Sequence, residues 1–588
     1  MVTKFEVLPN EILIQCFQYL NAPYLFHSFD QLNHRFNDLI RHIPLCINLK
    51  EDLGKSILDN FCIKMLLNSK IKDQVYSLNL PSLEDNDHAG LRTNRFLSFF
   101  PLEDFVNLRK FKANVYVNFL PTGTISWEFN RVALLDFSMV SFPELRTISL
   151  SRLHGRSKNL ESFRLSITSL TLEISAFRDF YWLSQHTPML QHLHLCRLYG
   201  SDCFVNKPMK EPFPYLKKLI IDDFIYASFD RFETFIKFTP NLENLTISVD
   251  KKDLIDAARW ERLITRSLLS LNTFQFKFSC SRYKLELNTM IPKLEEFQSD
   301  FWRKEHHWFT EYAIADDSIC VYTIPYVSNK YELKSNYERH RNDLTNNSDT
   351  FINVTNLRLY CEILKKKCED YFSNVKYLQL DGDSKSLTMK EIECLRKIIN
   401  PFHLKHLDLS RIRHINSSLV LKLFEQMPQL SVLSVWRDDL IRYFNDTELC
   451  KRLNKMVKRL YVKGRGDDDL FKMDQFYKVF SNIEHLQFED IRGEELLFSL
   501  SRLPKLSTLQ AECRDMNDRG CSISVIENEL IKLNVIYDIK NDRYPREDHY
   551  SAFGDRYGNR RERVEHYDVK ICLWRDNAIT RTNHFQSS

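Results

Sequence analysis

One short phrase recurs along most of this chain and limits what it can become: an apolar residue, two variable ones, an apolar residue, one variable residue and a third apolar one. It stands as VYSLNL at 75, LRTISL at 145, ITSLTL at 167, LQHLHL at 190, LKKLII at 216 and LENLTI at 242. After a gap it resumes as VTNLRL at 354, VKYLQL at 375, LKHLDL at 404, LSVLSV at 430, VKRLYV at 457, IEHLQF at 483 and a weaker LSTLQA at 506. Looser copies start at Leu108, Leu271, Leu294 and Leu533. Most successive copies lie roughly 21 to 29 residues apart, the period of stacked strand and helix units. One such unit cannot bury both its strand and its helix, so neighbours must stack.

Proline marks the phase. Pro143, Pro188, Pro214, Pro240, Pro292, Pro428 and Pro504 each stand two residues before the first apolar position of a copy. A proline there ends a preceding helix and favours extended backbone beside it. The stretches DFYWLSQHT, RFETFIKFT, SSLVLKLFEQM and ELLFSLSRL, which precede such prolines, have helical apolar spacing. Each unit therefore reads as strand, loop, helix, proline, strand. The fold class is α/β, with strands in a parallel sheet and helices outside; about seventeen copies predict a sheet on the order of 80 Å long, forming one curved wall.

Over roughly residues 75 to 540 the phrase resembles leucine-rich-repeat proteins. Regular members carry Asn or Cys three positions after the phrase, where the side chain bonds the turn backbone. Here Leu153, Leu198 and Ile412 hold that place, so the polar ladder is missing and the resemblance implies an irregular, helix-rich solenoid.

The N-terminus is of another kind. In FEVLPNEILIQCFQYL, Pro9 suits a helix start, Glu11 suits the positive end of the helix dipole, and Ile12, Leu13, Cys16, Phe17 and Leu20 make one broad apolar face. Leu25, Phe29, Leu32, Phe36, Leu39 and Ile40 repeat the pattern. So small a segment has more apolar surface than it can bury alone. On periodicity, the helices either cap the following core or dock on a partner.

Residues 4 to 44 resemble an F-box, through Leu8-Pro9, Glu11, Ile12-Leu13, Phe17, Leu20, Leu25, Asn33, Arg35 and Phe36 in order and spacing. Phe36 stands where Trp is common, and Cys16 where Ile is usual. With the repeats behind it, the chain is similar to an F-box protein of the leucine-rich-repeat type, the substrate receptor of an SCF-type ubiquitin ligase. That resemblance implies docking on a Skp-family adaptor, and through it on cullin and RING subunits. Leu8, Pro9, Ile12, Leu13, Phe17 and Leu20 would be the adaptor contacts. The repeats would hold a protein substrate, and the chain itself would do no chemistry. The other reading is a non-ligase repeat scaffold whose F-box-like helices only cap the solenoid.

The remaining organisation follows from composition and from breaks in the rhythm. An F-box is expected at 1–48, a helical coupler at 49–74 with apolar positions at Ile57, Phe61, Met65 and Leu66, the solenoid at 75–540, and a charged loop with a terminal strand at 541–588. An insertion at about 300–350 holds FWRKEHHWFTEY, the strand-like DSICVYTIPY and the polar run SNYERHRNDLTNNSDT. Trp302, Trp308 and Phe309 are expected to pack this insertion against the repeats. DVKICLW reads as a strand closing the open edge.

The formal charge of +4, from 82 basic and 78 acidic side chains, argues against nucleic-acid binding. Fourteen scattered cysteines without a CxxC pair, and no apolar run of membrane-spanning length, point to reduced thiols in cytoplasm or nucleus. No phosphate loop, GxSxG elbow or nucleophile signature occurs. KEHHW at 304 is not a zinc motif, and Asp467-Asp468-Asp469 reads as a solvated turn, so neither cofactor nor metal is expected. Variable positions of the phrases face away from the core and are the candidate substrate surface: His192, His194, Lys218, Asp408, Arg459 and Tyr461, with Trp436 in the loop after one strand, joined there by Arg437 and Asp438.

Overall fold

The computed structural model describes residues 5–49, 55–80, 96–118, 144–154, 166–199, 212–225, 228–281, 287–334, 336–341, 350–366, 368–382, 387–464, 473–514, 523–532, 536–542 and 566–572. Pro143, Leu533 and the acidic run at 467–469 fall outside the described residues, as does most of the charged loop expected after 541.

The repeats divide between two sheets, one of thirteen strands and one of ten, each within its own compact unit. A single sheet through every copy is thus corrected. The first sheet runs β1 (Leu45–Asn48), β2 (Val75–Asn79), β3 (Lys110–Asn118), β4 (Thr147–His154), β5 (Ser169–Ala176), β6 (His192–Tyr199), β7 (Lys218–Ile221), β9 (Asn244–Asp250) and β10 (Thr273–Ser281), all paired parallel. The short β8 (Phe224–Ile225) pairs β6 off this path. The parallel run ends at β10, which pairs antiparallel with β12 (Ser318–Thr323), itself antiparallel to β11 (Thr310–Ile314).

The insertion therefore terminates the first sheet. Its rings do so by packing, as expected: Trp302 is fully buried against Phe276 (5.7 Å) and Phe297 (5.0 Å), and Trp308 meets Phe274 edge-on at 5.7 Å. Glu311 on β11 is neutralised by buried Arg339, whose Nε donates at 2.7 Å. The polar run expected as loop contributes the strand β14 (Glu338–His340), which ends the first sheet; β13 (Lys330–Leu333), just before that run, begins the second.

The second sheet continues parallel from β13 through β15 (Asn356–Tyr360), β16 (Tyr377–Asp381), β17 (His406–Arg411), β18 (Val432–Trp436), β19 (Arg459–Lys463), β20 (His485–Arg492) and β21 (Thr508–Arg514). Then β23 (His566–Cys572) pairs antiparallel with both β21 and β22 (Ile536–Asp542). The described part of DVKICLW, up to Cys572, thus inserts beside the last repeat, and β22 takes the outer edge.

Local chemistry explains the units. Each helix expected before a proline forms: Phe177–His186, Phe229–Ile236, Ser417–Gln426 and Gly493–Arg502. Pro188, Pro214, Pro240, Pro428 and Pro504 then precede strands. Pro292 breaks the rule, standing inside the helix Leu287–Glu295 and placing the loose copy at Leu294 on a buried helical face. The apolar positions of the phrases build the core, as in Leu193, Leu195, Leu219, Leu245, Leu407 and Leu433, each 1% exposed or less.

Two hydrogen-bond ladders register successive units. The carbonyl of the first variable residue in one phrase accepts two successive N–H groups of the next. Arg146 O accepts from Thr168 and Ser169, Gln191 O from Lys217 and Lys218, and Lys405 O from Ser431 and Val432. The second ladder uses side chains. Asn107, Asn241, Asn374 and Asn482, each just before a phrase, donate through Nδ2 to carbonyls of the previous unit: Asp73 (2.8 Å), Pro214 (2.7 Å), Ile352 (2.9 Å) and Asn454 (3.4 Å). Asparagine thus joins these units from one residue before the phrase, while the places three after it still hold Leu198 and Ile412.

The N-terminal helices Asn10–Gln18, Ala22–Phe29 and His34–Ile40 belong to the first unit. Phe17, Phe29 and Phe36 form one aromatic knot with ring centroids 4.9 to 5.9 Å apart. The expected coupler is helical, Lys55–Leu67 and Lys70–Asp73, and buries Phe61 and Met65 but leaves Leu66 exposed. Phe61 meets Phe26 edge-on at 5.3 Å. The sheet itself begins earlier than expected, at Leu45, because Asn21 and the backbone of Asn48 exchange hydrogen bonds of 2.7 and 2.9 Å.

Candidate functional site

The six N-terminal contact candidates split between two faces. On the helix Asn10–Gln18, Leu13 and Phe17 are four apart and share the inward face, while Ile12, one residue before Leu13, points away from it. Leu13 and Phe17 are buried in the core, which corrects their place among surface contacts. Pro9, Ile12 and Leu20 are exposed and Leu8 is half-buried. Tyr19 and Val7, absent from the expected set, are the most open apolar side chains here, at 89% and 71%. The entry segment is held rather than loose: the Arg35 guanidinium donates to Glu6 O (2.6 Å), Leu8 O (2.6 Å) and Asn10 Oδ1 (2.8 Å).

On the second sheet, strand alternation places a polar and aromatic face opposite the leucines. Register aligns Arg358, Gln379, Asp408, Ser434, Tyr461, Gln487 and Gln510 in one row, and Tyr377, His406, Arg459 and His485 fall in the adjoining row. Asp408 is not an open carboxylate: it is buried and accepts from Tyr377 Oη (2.7 Å), Gln379 Nε2 (3.0 Å) and Ser410 N (2.8 Å). Burial opposes its charge, but donors at Ser410 and Tyr377 and the nearby Lys463 hold its pKa below the ordinary carboxylate value. Tyr377 shifts the other way, raised by burial and by donating to Asp408.

His406 joins the two rows. Its Nε2 lies 2.8 Å from Ser434 Oγ, its ring stacks at 5.7 Å on Tyr461, and it meets Tyr377 edge-on at 4.5 Å. Burial pushes its pKa down to about 4, against the pull of Asp408, so the imidazole is neutral at physiological pH. Arg459 stands exposed at the start of its strand.

Trp436 ends β18 and is half-buried, with the Arg413 guanidinium 4.2 Å over its ring. No loop follows it. The helix Arg437–Tyr443 starts at once, and Arg437 is buried in an ion pair with Glu495 at 3.0 Å, which removes it from the candidate surface. Gly464, at φ +107°, packs so closely that an added Cβ would lie 2.7 Å from the Trp436 ring.

On the first sheet, His192 and Lys218 are exposed register neighbours. His194 is half-buried, with Nε2 2.7 Å from Asp222 Oδ2 and 3.9 Å from Cys196 Sγ. Hydrogen bonding to Asp222 raises its pKa to about 9. Neither Cys196 nor Asp222 stood among the expected site residues. The i, i+2 spacing of His194 and Cys196 on a strand was the available signal; Asp222 required the strand pairing. His306, by contrast, stacks on Trp308 at 4.2 Å inside the aromatic cluster.

No family model matches the chain. No curated protein matches its sequence. Among solved structures, the crystal structure of a TLR13-ssRNA13 complex is similar in part, at 15% identity and a TM-score of 0.25. That match covers 69% of this chain and 59% of the other, so it spans about three-fifths of that protein's length. Among the described residues, no helix is long and apolar enough to cross a membrane.

Proposed function

We propose that this chain is the substrate-recognition adaptor of an SCF-type ubiquitin ligase, docking through its N-terminal helices on a Skp-family adaptor and presenting its strand faces to a protein substrate. One observation carries the reading: Ile12 on the helix Asn10–Gln18, and Pro9, Tyr19 and Leu20 at and just beyond its ends, are exposed apolar side chains beside the positions Leu13 and Phe17 that lock this helix into the core. A helix that served only as a cap would have no need of a second apolar face, and exposed patches of this kind mark docking sites. The resemblance of residues 4 to 44 to an F-box names the partner. The chain's contribution is then proximity, raising the effective concentration of target lysines near the conjugating enzyme.

The capping reading draws on a specific observation of its own. Leu13 and Phe17 share one continuous core with the first strands, including Leu45, Ile47 and Leu78. Co-expression with a Skp-family adaptor separates the two. A stable 1:1 complex is expected for the wild type and not for a folded variant carrying Pro9→Ala, Ile12→Ala and Leu20→Ala. A wild-type chain that elutes alone while folded overturns the ligase reading.

A further inference from the structure

We propose that His194, Cys196 and Asp222 bind one borderline-soft divalent metal ion, Zn²⁺ in the first instance, and leave a fourth coordination position for water or for a donor from a bound protein. The inference stands apart from what the N-terminal helices dock on.

The placement follows from strand geometry. His194 and Cys196 are two apart on β6 and so share a face. The parallel register sets His194 against Ile220 and Leu195 against Ile221, and Asp222 N donates to Leu195 O at 2.9 Å, which brings Asp222 beside Cys196. Imidazole nitrogen, thiol sulfur and carboxylate oxygen thereby converge, all within 4.8 Å of one another. In a tetrahedral zinc site, metal–ligand bonds of about 2.0 to 2.3 Å put donor atoms about 3.3 to 3.8 Å apart, so side-chain rotations on the order of 1 Å would form the shell.

The Cys196 thiol lies 3.9 Å from the same His194 Nε2 that pairs with Asp222, so a third donor atom faces the ion pair. The donor set is the mixed nitrogen, sulfur and oxygen combination that zinc takes. Access is present too, since the side chains of His194 and Asp222 are 33% and 51% exposed. Among the described residues, this is the cluster of three such side chains whose donor atoms meet.

The test uses the purified full chain, stripped with a chelator and titrated with Co²⁺, followed by displacement with Zn²⁺. One equivalent should bind with a sulfur-to-cobalt charge-transfer band, which Zn²⁺ abolishes. Cys196→Ser, which keeps the side chain's size, should remove the band, and His194→Ala and Asp222→Asn should each weaken binding at least about tenfold. His192→Ala, an exposed neighbour on the same face, should change nothing. Circular dichroism confirms that each variant is folded. Binding without a thiolate band, or a band that survives in Cys196→Ser, overturns the site and leaves a histidine–aspartate ion pair.

Discussion

Ile12 keeps 41% of its surface exposed while Leu13, one residue on, keeps none, and Phe17 one turn later keeps 1%. Phe17→Ala should therefore cost about 3 to 5 kcal/mol in chemical denaturation of the first unit, whereas Ile12→Ala should cost under about 1 kcal/mol. Equal losses would mean that Ile12 is core and that the docking stripe is not a separate face. His406 offers a second residue-scale prediction. Its native pKa of about 4 lies below the usual 6.5, so the unfolded chain binds the extra proton between those values. Stability from this group is present above about pH 6.5 and is lost as pH falls toward 4, by no more than about 3 kcal/mol. Urea midpoints measured from pH 7 to pH 4 should fall less steeply in His406→Gln; an unchanged slope would show that the buried imidazole does not govern this window. Burial sets this pKa; Asp408, two residues along the same strand, opposes it, and Lys463, on β19, adds to it from beyond the reach of local spacing.

Among the elements, the repeat was legible because its signals are local: apolar alternation for strands, 3.6-residue periodicity for helices, and proline at the changeover. Pro292 shows the limit, since it stands inside the helix Leu287–Glu295, which runs on past it to Glu295. The asparagine ladder leaves no mark in the phrase itself, because its acceptor carbonyls belong to the previous unit and lie beside the residue just before the phrase. Asn241→Ala should cost about 0.5 to 1.5 kcal/mol, the range of a single hydrogen bond, and Asn241→Asp should not restore it, because a carboxylate cannot donate to Pro214 O. The last elements carry a prediction of their own. Truncation before His566 removes β23, the partner of β21, and exposes a strand edge. That truncated chain should aggregate or elute as higher oligomers in size-exclusion chromatography, and a monodisperse monomer would show that β23 is dispensable as a cap.

At the scale of the whole molecule, two sheets in two compact units predict two calorimetric transitions. Trp260, fully buried among Phe229, Phe274 and Phe278, anchors the first unit; Leu407 is buried in the second. Trp260→Ala should lower one transition and Leu407→Ala the other, each by the several degrees that about 3 kcal/mol produces; a single transition moved by both would deny the division. The sequence by itself determined the alternation of strand and helix, the phase of the units and the helical N-terminus, because these depend on neighbours within a few turns. Tertiary structure alone decided that the insertion ends one sheet, that Ile12 faces out while Leu13 faces in, and that Cys196 and Asp222 meet His194. Each of those outcomes depends on which strand or helix packs alongside, and strand register carries residues such as His194 and Asp222, 28 positions apart, into contact without any mark in the local pattern.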